Sequence, residues 1–148
     1  MKTSVCTVLF ALLLSTPAIA DPPAETIGHI QTIEGLATIH RDGSTLPGKA
    51  GATLLRGDRI RTGKPGALGI VLTDDTTISL GSGSEMTLVD YAFEPKESKF
   101  ALALQFVKGT LSYISGQIVK LAPDKVQLQT PDATIAVRGT KLLIEIKE

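Results

Sequence analysis

Apolar and polar residues alternate in short runs along most of this chain. Leu68, Ile70 and Leu72 share one parity, as do Phe100, Leu102, Leu104 and Phe106, and again Leu142, Ile144 and Ile146. A period of two turns one side to a core and the other to solvent, the mark of a half-buried strand. Phe100, Ala103, Leu104 and Val107 also fit helical spacing; strand is preferred there because Lys108-Gly109-Thr110 leads straight into Leu111 to Ile114. Turn signals separate the runs. Asp42-Gly43 reads as a hairpin turn, Gly57-Asp58 as a kink or bulge, and Pro65-Gly66, Asp74-Asp75 and Gly81-Ser82-Gly83-Ser84 as connections. Gly35 is expected to break the first strand, 93–98 to form a long loop around Pro95, and 117–121 to be another strand. The expected fold class is all-β, with about ten to twelve short strands and little or no helix, arranged as a sandwich, barrel or strand-wrapped solenoid.

Composition sharpens this picture at the N-terminus. Met1-Lys2 is followed by an apolar stretch from Val5 to Leu14, a break at Ser15-Thr16-Pro17, and Ala18-Ile19-Ala20, a small-x-small site for signal peptidase. Residues 1–20 therefore read as a secretory signal cleaved after Ala20, too short for a stable membrane span. Residues 21–26 read as a disordered leader, and 27–148 as the domain. The only cysteine, Cys6, leaves with the signal, so disulfides, thiolate zinc and a cysteine nucleophile are excluded. The remaining charge, 14 basic against 15 acidic residues or −1, gives no footprint for nucleic acid. Ile, Val and Thr supply 12, 6 and 14 of the residues after position 20, which suits pleated strands better than helices. The location expected is periplasmic or secreted, with no transmembrane segment after cleavage.

Three strings point to a family. They are Gly57-Asp58-Arg59-Ile60-Arg61-Thr62-Gly63, Ala67 to Leu80, and Thr130-Pro131-Asp132-Ala133-Thr134-Ile135-Ala136-Val137-Arg138-Gly139-Thr140. Together with Gly35 to Gly43 they resemble the FecR domain, over about residues 28–144. The resemblance implies an all-β domain outside the inner membrane that binds proteins and passes a signal. Family regulators usually carry a cytoplasmic anti-sigma part and a membrane helix ahead of this domain. Here a signal sequence stands instead, which suggests the free-standing secreted branch and not a direct sigma-factor regulator. Asp75 departs from the pattern, which favours glycine there.

Candidate chemistry is sparse. His29 and His40 have no convergent ligand set, so a structural or solvent-facing role is read for both. Asp74 and Asp75 are neighbours and point apart in extended chain, so they read as turn residues. Ser82 and Ser84 lack the lysine and helix of a phosphate loop and the frame of a nucleophile elbow. Arg56-Gly57-Asp58 spells an adhesion tripeptide, but the family string already accounts for Gly57-Asp58. Arg56, Arg59, Arg61 and Lys64 form a basic patch, with Arg59 and Arg61 on one face and Ile60 on the other, able to meet an acidic envelope protein or anionic wall polymer. Gly57, Asp58, Arg138 and Gly139 read as structural motif residues. Gly139 would admit a close backbone and Arg138 would tie down a carbonyl or carboxylate. Tyr91, Phe93, Phe100, Phe106 and Tyr113 read as core. No catalytic residue, metal or cofactor is assigned. The reading is a non-enzymatic envelope binding module, against two rivals: a scaffold joined through strand edges, and an envelope hydrolase. Lys141, Glu145 and Lys147 look like guards of an edge strand, which favours a monomer.

Overall fold

The computed structural model describes residues 17, 18, 25–139 and 141–147. The export signal and the leader lie outside the described residues, apart from Pro17, Ala18, Glu25 and Thr26. The strands are β1 (Thr26–Arg41), β2 (Ser44–Pro47), β3 (Thr53–Leu55), β4 (Arg59–Leu72), β5 (Thr77–Leu80), β6 (Glu85–Glu94), β7 (Lys99–Ile114), β8 (Val126–Gln129), β9 (Thr134–Ala136) and β10 (Lys141–Ile146). One helix of five residues, α1 (Gln117–Leu121), stands after β7. The all-β expectation holds, and all ten strands belong to a single hydrogen-bonded sheet.

Two long pairings organise that sheet. β1 runs antiparallel to β4 along nearly its whole length, and β6 forms a hairpin with the first part of β7. β5 joins the far end of β4 to the far end of β7, and the start of β6 pairs with the start of β4. The circuit β4–β5–β7–β6 therefore closes into a small barrel. β2 and β3 extend the sheet beyond β1, β8 runs parallel to β7 with β9 beyond it, and β10 lies antiparallel to β7. Inward residues of the circuit and its flanks make one core, with Ile30, Ile39, Ile60, Ile70, Phe106 and Tyr113 among its fully buried members. Burying each such side chain contributes about 1.5–3 kcal/mol.

The alternating runs behave as expected. Leu102, Leu104 and Phe106 are buried on one parity of β7, and Leu111 and Tyr113 on the other. The parity changes around Gly109, whose φ of 98° lets the strand bulge and continue. Asp42 and Gly43, at φ 48° and 78°, make the two-residue turn between Arg41 and Ser44.

Four local expectations are corrected. Gly35 does not end a strand: β1 passes through it at a register shift, with Gly35 opposite Gly66. Pro65-Gly66 likewise does not turn the chain, because Pro65 sits in that same irregular stretch, where its missing N–H leaves no ladder bond unmade. Residues 93–98 are not a long loop: β6 runs to Glu94, a 3-10 turn spans Pro95–Glu97, and β7 begins at Lys99. The rings of Phe93 and Phe100, 6.1 Å apart, hold the two strand ends together. Residues 117–121 are helical rather than extended. Gln117 N–H donates to the Asp74 carbonyl at 2.8 Å, and Ala122 N–H to the Ile118 carbonyl at 2.7 Å, while Ile118 and Val119 face the core. Five residues are too few to display a helical period.

Candidate functional site

Asp58 ends the turn between β3 and β4 and is 1% exposed. Gly57 before it takes φ 90°, which a residue without a Cβ adopts at little cost. This geometry aims the carboxylate at Arg41, the last residue of β1. Arg41 Nε donates to Asp58 Oδ1 at 2.8 Å and Nη2 to Oδ2 at 2.6 Å. Nη2 also reaches the Thr53 carbonyl at 3.0 Å, and the Leu55 N–H donates to Asp58 Oδ2 at 2.9 Å. The hydrogen bond to Asp58 holds the Arg41 guanidinium above its ordinary range, against the opposing pull of burial. Beside this clamp lies a cavity of about 280 Å³, lined among others by Arg41, Leu55, Arg56, Tyr91, Glu94 and Lys99. Its wall carries both signs of charge.

The four expected patch residues fall in two places. Arg59 and Arg61 project from the outer face of β4 with Ile60 buried between them, as the alternation implies. Arg61 stands opposite Glu85 of β6, and both arginines approach that carboxylate, at 3.6 Å for Arg59 and 3.2 Å for Arg61. Arg56 meets Asp90 at 3.4 Å. Three cations thus face two carboxylates, and the side chains of Arg59 and Arg61 stay 52% and 48% exposed. Lys64 lies apart. Its stem crosses Gly83, and it lines an open groove of about 340 Å³ with Ser82, Thr110, Glu145 and Lys147.

The most buried polar network centres on Asp74. Its carboxylate accepts from Thr76 Oγ1 at 2.7 Å, Thr76 N–H at 3.2 Å, the Tyr91 hydroxyl at 3.2 Å and Ile118 N–H at 3.2 Å. Asp74 N–H in turn donates to the Tyr91 oxygen at 2.9 Å. Asp74 therefore ties the β4–β5 turn to β6 and α1. Asp75 points outward to Gln117, so the two acids diverge as the sequence implies. Asp75 takes φ 69°, the left-handed conformation that glycine enters most easily, so the departure from the family pattern keeps the turn's backbone geometry. Burial pushes the Tyr91 phenol up, with the Thr73 hydroxyl pulling back. Burial likewise pushes Tyr113 up to about 12. The Tyr113 hydroxyl lies near Thr76 and Asp74 but meets no partner at hydrogen-bonding geometry among the described residues.

The remaining candidates take structural or solvent positions. Ser82 Oγ donates to the Gly66 carbonyl and accepts from its N–H, and Ser84 Oγ does the same for Thr110. His29 is exposed, and His40 bonds the hydroxyls of Thr38 and Thr45. Arg138 is exposed and makes no hydrogen bond or ion pair among the described residues, so the tie read for it is not seen there. A Cβ at Gly139 would meet nothing within 4 Å, so no backbone crowds it.

The partnerships of Arg41, Glu85 and Tyr91 escaped the sequence reading, which placed Tyr91 in the core, where it is buried, but gave it no partner. Each is defined by a partner 17 or more residues away, and no local spacing marks such pairs. No helix among the described residues is long and apolar enough to cross a membrane. Among known protein families, the one described as FecR protein matches residues 58–148, which takes in β4 to β10. No curated protein and no solved structure matches the chain.

Proposed function

The chain belongs to the FecR family, and from that premise we propose that it is a non-enzymatic, exported binding module that signals in the bacterial envelope by docking another envelope protein. The family is one of signalling regulators. The observation that carries the proposal is the family match across β4 to β10, the part of the sheet that bears the arginine face. Arg59 and Arg61 fit a docking role because both pair with Glu85 while about half of each side chain stays exposed. A hydrolase finds less support, since His29 stands in solvent and His40 is bonded to threonines rather than to a carboxylate.

Capture of envelope proteins on the immobilised chain, after crosslinking and across a salt series, tests this reading. The expected result is one protein retained at low salt and released as salt rises, because screening shortens the reach of surface charges. The double variant Arg59→Glu/Arg61→Glu should abolish its capture. Retention of no envelope protein under any condition, or turnover of envelope polymers by the pure chain, would overturn it. Capture of an anionic wall polymer in place of a protein would replace the docking partner while keeping the arginine face.

A further inference from the structure

We infer that β10 is a self-complementary edge through which two copies of this chain join their sheets. β10 bonds to β7 on one flank only, and among the described residues no strand covers its other flank. An uncovered flank presents a row of free N–H and C=O groups that another strand can pair with. The side chains say which strand fits. Leu143 is 69% exposed. The register Lys141–Ile114 and Leu143–Ser112 places Leu143 on the same face as Ile114, itself 44% exposed.

Antiparallel pairing of β10 with a second β10 about a two-fold axis at Leu143 sets Leu143 against Leu143 of the second copy. The same register sets Lys141 against Glu145 of the second copy, and Glu145 against its Lys141. On the other face Leu142 meets Ile144, extending the half-buried row that already packs on the core. Moving the axis by one residue to Ile144 would instead set Lys141 against Lys147, which like-charge repulsion disfavours. One register therefore satisfies both charges and both apolar rows. The acid and base that look like edge guards in a single chain become cross-chain pairs in two. A two-fold contact of this kind uses the same patch on both copies and closes after two. Six residues a side make a small interface, so association belongs at the weak end of the protein–protein range.

Sedimentation velocity on the chain purified from cells that express it, over a wide concentration range, tests the proposal. A concentration-dependent dimer is expected. Lys141→Glu and Glu145→Lys alone should each raise the dimer dissociation constant on the order of tenfold or more, since two attractive pairs become repulsive. An equimolar mixture of the two single variants should associate again, because the opposite charges then face each other between chains. Both positions are exposed, and circular dichroism confirms that each variant is folded. A monomer at every concentration would overturn the proposal. So would a dimer indifferent to the single changes, or single variants whose mixture stays apart.

Discussion

Arg41, at the end of β1, grips Asp58, 17 positions later in the turn before β4, through two charge-assisted hydrogen bonds. Among the described residues no other cation pairs with Asp58, and Arg59 and Arg61 lean the other way, toward Glu85. Removing one partner leaves a buried charge uncompensated. Arg41→Ala should cost about 3–5 kcal/mol, and Asp58→Ala somewhat less because Arg41 keeps the Thr53 carbonyl and some solvent. Urea unfolding of both single variants and the Arg41→Met/Asp58→Leu double variant checks this. The double variant should recover most of the loss.

The two buried tyrosines should respond oppositely to loss of the hydroxyl. Tyr91→Phe strips a donor from the Asp74 carboxylate and an acceptor from its N–H, and should cost about 1–3 kcal/mol. Tyr113→Phe removes a buried hydroxyl that meets no partner at hydrogen-bonding geometry among the described residues, so stability should hold or rise by up to about 1 kcal/mol.

Burial also makes stability pH-dependent at the alkaline end. Both phenols titrate higher in the folded chain than the unfolded value of about 10. A raised folded pKa means that the proton is held more tightly in the native state. The associated stability is whole below about pH 10 and is lost as pH climbs, with Tyr113 going through about 12. Denaturant midpoints measured from pH 8 upward should be flat at first and then fall, and Tyr113→Phe should make the fall shallower.

Gly116 admits the Asp74 turn to the start of α1. An added Cβ would collide with the Asp74 carbonyl and the Thr76 amide nitrogen, both of them backbone. Gly116→Ala should therefore cost about 3 kcal/mol, toward the upper end for overpacking, because no side chain is available to swing away. Thermal unfolding gives the measurement.

The two motif glycines separate conformational need from spatial need. Gly57 has open space around it but a φ of 90°, so Gly57→Ala should cost about 1–2 kcal/mol through backbone strain alone. Gly139 has open space and no such φ, so Gly139→Ala should stay within about 0.5 kcal/mol of the parent.

Much of the strand content was legible because it rests on local alternation. The runs 68–72, 100–106 and 142–146 lie in strands, and Arg59 and Arg61 stand opposite Ile60, as a period of two requires. The Asp42-Gly43 hairpin was legible because two left-handed residues suffice to define it. Strand continuity was not legible. Gly35 and Pro65 look like breaks in isolation, and only their meeting across β1 and β4 turns both into one shared irregularity. The helical turn at 117–121 was hidden because its first hydrogen bonds go to Asp74, more than 40 residues earlier. The Arg56 to Lys64 patch was legible as a local excess of charge. Its division between Glu85, Asp90 and a separate groove depends on β6 and β10, which no local reading places.

β7 touches four other strands along its sixteen residues: β5, β6, β8 and β10. Its amide protons in the middle of the strand can therefore meet solvent deuterium only when several neighbours detach together. In native-state exchange, Leu104 and Tyr113 should mark the slowest class and open with the free energy of the whole fold, while β2 and β9 at the margins trade their protons early.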